Sequence, residues 1–161
     1  VGENISRFQD DAQDSDIVAA AQQAGAHDMI QKFPEGYGSD VGEGGNFLSG
    51  GQRVGLARAV YKEPCLVVLD EPNSNLDNHG EQALVTCIKQ LKEKGKTVVL
   101  ITHKASLLAL SDKTLMLVNG AVEKYGPTKD IFQPQEHPKK QDAEPNQGSN
   151  PAVLKMPQPS S

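Results

Sequence analysis

No stretch of the 161 residues matches the phosphate-binding loop G-x-x-x-x-G-K-[ST], and other absences narrow the chain further. No apolar run approaches the roughly 18 residues that a membrane span needs. There are two cysteines, Cys65 and Cys87, each in an apolar stretch, which argues against a disulfide framework and for core thiols in a reducing cytosol. His27, His79 and His137 have no metal-ligand spacing with one another or with the cysteines, so no zinc site is implied. Cations are outnumbered, 16 against 21 anions, and the formal charge of -5 speaks against a broad nonspecific nucleic-acid surface. The hydrophobic content of 37% is below the usual globular figure, so part of the chain is expected to stay unpacked. No signal peptide is visible, and the chain opens on Val1 in mid-pattern, as an excised piece would.

Against these absences stand two segments rich in chemistry. Leu66-Val67-Val68-Leu69 is an apolar run that ends in Asp70-Glu71. Carboxylates at the carboxyl end of a strand sit where open α/β sheets bind ligands. An aspartate there can hold magnesium through water, and a glutamate can deprotonate an attacking water. An ordinary strand followed by an acidic turn has the same pattern. The second segment, Leu48-Ser49-Gly50-Gly51-Gln52, places a glycine pair at a helix start, where the backbone can approach a phosphate and free N–H groups face it. Alone it reads equally as a helix cap. Eighteen residues ahead of Asp70, it becomes much more specific. His103, just past a second apolar run, can hydrogen-bond a terminal phosphate, though a lone loop histidine is commonly just solvated. Ser74-Asn75-Leu76-Asp77 reads as a turn and helix cap with Asp77 as the cap.

The order of elements predicts an α/β layer fold. Ser15 is expected to cap a helix through Ala24, with a second turn at Met29 and Ile30. Five glycines between Gly36 and Gly45 mark a loop. A helix is expected from Ser49 to Tyr61, then a buried strand over Cys65 to Leu69. An amphipathic helix over Asn78 to Lys94 carries Leu84, Ile88 and Leu91 on one face. A second buried strand follows at Thr97 to Ile101 and a short helix at Lys104 to Leu110. Thr114 to Val118 and Ala121 to Tyr125 form a hairpin through Asn119-Gly120. From Gln133 onward Pro, Gln, Asn, Ser and Lys dominate, and residues 133–161 are expected to be a disordered tail.

Taken together, these segments resemble the ATPase domain of ATP-binding cassette (ABC) transporters. Leu48 to Gln52 looks like the family signature, Leu66 to Glu71 like Walker B, Ser74 to Asp77 like the D-loop, and His103 like the switch histidine. Residues 3–8, 35–45, 69–77 and 126–132 are similar to the type I secretion subfamily of metalloprotease exporters. The resemblance implies a partial P-loop NTPase fold of three layers, with residues 1–132 in the ATPase domain. Within it, residues 14–60 would be a helical subdomain and 61–132 the Walker B and switch region. It implies ATP and Mg2+, with Glu71 as base, Asp70 as magnesium ligand through water and His103 as γ-phosphate sensor. Ser49 and Gly51 would contact ATP held by a second ATPase subunit, and Asp77 would couple the two sites. Implied partners are a transmembrane permease domain, a periplasmic adaptor and an outer-membrane channel, with the ATPase at the cytoplasmic face of the bacterial inner membrane.

Two departures qualify the resemblance. Walker A, the Q-loop glutamine and the adenine-stacking aromatic have no counterpart here, so the sheet is expected to expose an apolar edge. The family usually reads L-S-G-G-Q-R-Q-R-[IV]-G-L-A-R-A, whereas here Arg53 runs straight into Val54. A two-residue gap turns the helix start by roughly 200° and moves it by roughly 3 Å relative to its end. Either the helix start unwinds, or the signature turns away from its phosphate. A truncated, catalytically inactive interaction module is therefore the alternative to a working exporter ATPase. A chromosome-maintenance or DNA-repair ATPase half would need heptad coiled coils, which are absent.

Overall fold

The computed structural model describes residues 1–40 and 48–132. The glycine-rich stretch at 41–47 and the expected tail at 133–161 lie outside the described residues.

The N-terminal third is helical. Short α1 (Gly2–Ile5) and α2 (Asp14–Gln23) pack with α4 (Leu48–Val60), and the single turn α3 (His27–Ile30) packs with α2. Ile5, Ala20, Ala21, Ala24 and Ile30 are buried there with Val54, Ala57 and Val60 of α4. Small alanines let α2 lie close to α4. Ser15 does not cap α2: the N-cap is Gln13, without a side-chain cap bond. Asp14 and Asp16 instead place negative charge in the first turn, where the helix dipole favours it.

Two strands carry the site. β1 (Leu66–Asp70) and β2 (Thr97–Ile101) pair in parallel, with Val68 opposite Val99 and Asp70 opposite Ile101. The crossover between them is α5 (Asn78–Glu93), an amphipathic helix. Its N-cap is Asp77, whose carboxylate accepts from the Gly80 backbone N–H at 2.7 Å. Leu84, Cys87, Ile88 and Leu91 of α5 are buried, as are Val67 and Leu69 of β1.

The two strands are not buried on both faces, as their apolar runs suggested. Side chains alternate across a strand, and Leu66, Val68, Val99 and Ile101 share a face that is exposed. The apolar surface left open is therefore a sheet face, more than the expected edge. Cys65 is likewise exposed rather than a core thiol, whereas Cys87 is buried and its thiol is pushed up to about 11 by that burial. Cys65 precedes β1 and lies outside its alternation, so membership of an apolar stretch does not bury it.

After α6 (Ala105–Leu108), β3 (Lys113–Val118) and β4 (Ala121–Pro127) form an antiparallel hairpin closed by α7 (Thr128–Ile131). Asn119 and Gly120 both have positive φ, 51° and 79°. Those values suit the two-residue turn that matches strand twist. The mixed α/β architecture agrees with the expected fold class.

Candidate active site at the carboxyl ends of two parallel strands

The carboxyl end of β1 delivers Asp70 and Glu71, and that of β2 delivers Thr102 and His103. Glu71 leaves the strand in the left-handed region, at φ 43°, rarely populated by a residue with a side chain. Three hydrogen bonds fix it there. Its N–H donates to the Ile101 carbonyl at 2.9 Å, and its own carbonyl accepts from the Ser74 N–H at 3.1 Å and the Ser74 hydroxyl at 2.8 Å. Such backbone strain persists only where surroundings over-determine it. The reversal brings Glu71 Oε1 to 3.0 Å from His103 Nδ1, although 32 residues separate them in sequence.

Asp70 is exposed at the strand end, and no group of three or more His, Cys, Asp or Glu among the described residues could hold a metal ion unaided. A single hard carboxylate fits magnesium bound through water and held chiefly by phosphate oxygens.

A cleft of about 380 Å³ runs between α4 and this strand end; Gly51, Gln52, Asp70, Glu71 and Ser74 line it. Gln52 Nε2 donates to Ser74 Oγ at 3.0 Å. Arg53, buried, donates from Nη2 to Asp77 Oδ1 at 2.5 Å. The Asp77 carboxyl is held below its usual range, first by the Gly80 N–H it accepts from and then by Arg53. Gly80 is the residue that permits this: a Cβ there would meet Leu76 Cδ2 at 2.9 Å and Arg53 Nε at 3.0 Å.

The structure thus gathers Gly51, Gln52, Asp70, Glu71, Ser74, Leu76 and Asp77 around or beside one cleft, with His103 on Glu71. Asn75 lies in the same turn, exposed, with φ 59°. Gly50 lines a different cleft, with Val1, Phe33 and Val54. Leu48 and Ser49 belong to α4 by backbone, and their side chains lie outside the described part of the structure. Residues that sequence reasoning did not single out are Asn73, Glu81, Thr102 and Lys104. Thr102 donates to Asn73 Oδ1 at 2.9 Å, and Lys104 Nζ pairs with Glu81 Oε2 at 2.6 Å. No periodicity or local spacing announces contacts spanning more than twenty residues.

Comparison with known proteins decides the family. The chain is 46% identical over 134 residues to the type I secretion system ATP-binding protein PrsD of Rhizobium meliloti, a match covering 82% of this chain and 23% of that protein. It is 38% identical over 128 residues to the ATP-dependent lipid A-core flippase of Saccharophagus degradans, covering 78% and 22%. A solved bacterial Atm1-family ABC exporter with ATP bound superposes with a TM-score of 0.69 at 36% identity, covering 81% of this chain and 23% of that one. The chain belongs to the ATP-binding cassette family. No protein-family model matches it. It spans about a quarter of the length of these ABC relatives. Among the described residues no helix is long and apolar enough to cross a membrane.

One point of the ABC comparison concerns the gap after Arg53. α4 is helical without a break from Leu48 to Val60. Of the two expected consequences, unwinding of the helix start does not occur.

Proposed function

We propose that the chain is the C-terminal part of an ATP-hydrolysing nucleotide-binding domain that powers protein export by a type I secretion transporter. The observation that carries this reading is the Glu71–His103 contact at the ends of adjacent parallel strands. The higher identity to a type I secretion protein than to the flippase supports the export assignment. Residues 1–132 would form the ATPase part, residues 14–60 its helical subdomain and residues 133–161 a tail.

In this mechanism Glu71 takes a proton from the attacking water. His103, when protonated, donates from Nδ1 to Glu71 and from Nε2 to a γ-phosphate oxygen. Asp70 would hold Mg2+ through water, and the ion would supply charge neutralisation on the phosphates. Leu48, Ser49, Gly50, Gly51 and Gln52 contact ATP held by a second subunit, and Ser74 to Asp77 couple the two sites. Catalysis is then positioning and charge stabilisation. The working assembly is a dimer with transmembrane permease domains at the cytoplasmic face of the bacterial inner membrane, joined by a periplasmic adaptor and an outer-membrane channel.

The test is Glu71→Gln in the complete transporter, read by ATP turnover and by export of the protein substrate. Turnover falls by roughly 10²–10⁴-fold, the usual worth of a positioned base. Normal ATPase in that variant overturns the assignment. Lost ATPase in the variant, beside a wild-type transporter that exports a lipid in place of a protein, overturns only the export half. The unbroken start of α4 favours a second reading, an inactive module whose signature is turned away from its phosphate.

A further inference from the structure

His103 is flanked by two ties, and neither involves its own side chain. On one side Thr102 Oγ1 donates to Asn73 Oδ1 at 2.9 Å, joining the loop after β2 to the loop after β1. The same hydroxyl accepts from the Lys104 backbone N–H at 3.1 Å, which closes the chain tightly around residue 103. On the other side Lys104 Nζ reaches the first turn of α5 and pairs with Glu81 Oε2 at 2.6 Å. Both ties are partly buried, while the His103 side chain itself is largely exposed.

An exposed imidazole held by one hydrogen bond would sample several rotamers, because a single bond in water contributes only about 1 kcal/mol. The observed 3.0 Å approach to Glu71 therefore needs the backbone at residue 103 to be fixed by something else. We propose that Thr102 and Lys104 are positioning residues that clamp the His103 loop onto the strand end bearing Glu71 and onto α5. Asn73 and Glu81 are the fixed partners. Asn73 belongs to the turn whose Glu71 and Ser74 are already cross-bonded, so it moves with the carboxylate. Glu81 belongs to a helix whose buried face packs in the core. This inference rests on the ATPase reading for its catalytic consequence, not for its geometry.

The experiment has two arms. In the 161-residue chain, ¹³C relaxation at the His103 ring reports its mobility directly. Thr102→Val and Lys104→Met raise that mobility, whereas Thr102→Ser and Lys104→Arg restore the wild-type value. In the complete transporter the first two variants lower kcat by up to about 10²-fold, the cost of misplacing a reacting group by about 1 Å, with KM for ATP unchanged. The conservative variants recover turnover. Unchanged ring mobility in both Thr102→Val and Lys104→Met overturns the clamp, as does failure of Thr102→Ser to rescue. A wild-type transporter without ATPase overturns the function while the mobility arm still decides the clamp.

Discussion

Gly80 offers a direct test of how closely α4 is locked to the start of α5. It sits three residues past the Asp77 cap, in the first turn of α5, where glycine costs up to about 1 kcal/mol relative to alanine. Gly80→Ala should therefore stabilise the chain if nothing else changed. A Cβ at this position lies 2.9 Å from Leu76 Cδ2 and 3.0 Å from both Arg53 Nε and Asp77 Oδ1. None of the three can step aside freely. Asp77 is held by the Gly80 N–H and Arg53, Arg53 is buried, and Leu76 is half-buried against the core. Overpacking of this kind costs about 1–3 kcal/mol, which outweighs the helix gain and leaves a net loss of about 1 kcal/mol. Gly55 is the control: it lies inside α4 with no atom within 4 Å of a built Cβ. The same substitution there yields about 0.5–1 kcal/mol of stability. Urea unfolding at constant m separates the two, with the midpoint falling for Gly80→Ala and rising for Gly55→Ala. A rise in both variants refutes the packing argument and frees Arg53 from the role given to it.

Two further outcomes follow from the same geometry. An aromatic disulfide reagent at pH 8 should modify Cys65 rapidly and Cys87 slowly, because burial pushes the Cys87 thiol to about 11 and leaves about one molecule in 10³ as thiolate; equal rates contradict the burial. Acid should destabilise the chain through Asp77 and Glu63, whose carboxyls are held low, Asp77 chiefly by the Gly80 N–H and Glu63 chiefly by its Lys94 hydrogen bond. A depressed carboxylate contributes stability that is present above its unfolded value, about 4, and is lost as pH falls through the folded one. Asp77→Asn therefore flattens the acid limb of stability against pH, and an unchanged limb contradicts the pairing.

Local signals carried much of this structure in the sequence. Asp77 caps α5, and Asn119-Gly120 turns the hairpin, because each residue's own chemistry selects the conformation. β1 and β2 were legible from apolar runs between breakers. Their half-exposure was not, because an apolar run records that both faces suit burial and not which face this chain covers. The assembly at the carboxyl ends was legible in part. Glu71 and His103 stood out as residue types in the right place, whereas Thr102, Asn73, Lys104 and Glu81 look like ordinary loop and helix-surface residues. Their pairing exists only once β1, β2 and α5 are packed, which is a property of the tertiary fold.

The gap after Arg53 can be judged by what an insertion would rebuild. Insert Gln-Arg between Arg53 and Val54. The buried residues Val54, Leu56, Ala57 and Val60 all lie beyond the insertion, so the apolar face of α4 keeps its register. The new arginine occupies the turn now held by Arg53 and reaches Asp77, and the new glutamine replaces Gln52 at Ser74. Everything from Leu48 to the original Arg53 rotates by about 200° and moves out by about 3 Å. Because the inserted pair has the same side chains as the displaced pair, the chain should lose no more than about 1 kcal/mol of stability, close to a surface change. A loss above about 3 kcal/mol means that Gly50 and Gly51 are locked where they stand, and the present register is then the native one. If stability holds and the complete transporter gains ATPase, the rotated signature is what limits it. If stability holds and ATPase does not change, the helix start has no part in turnover.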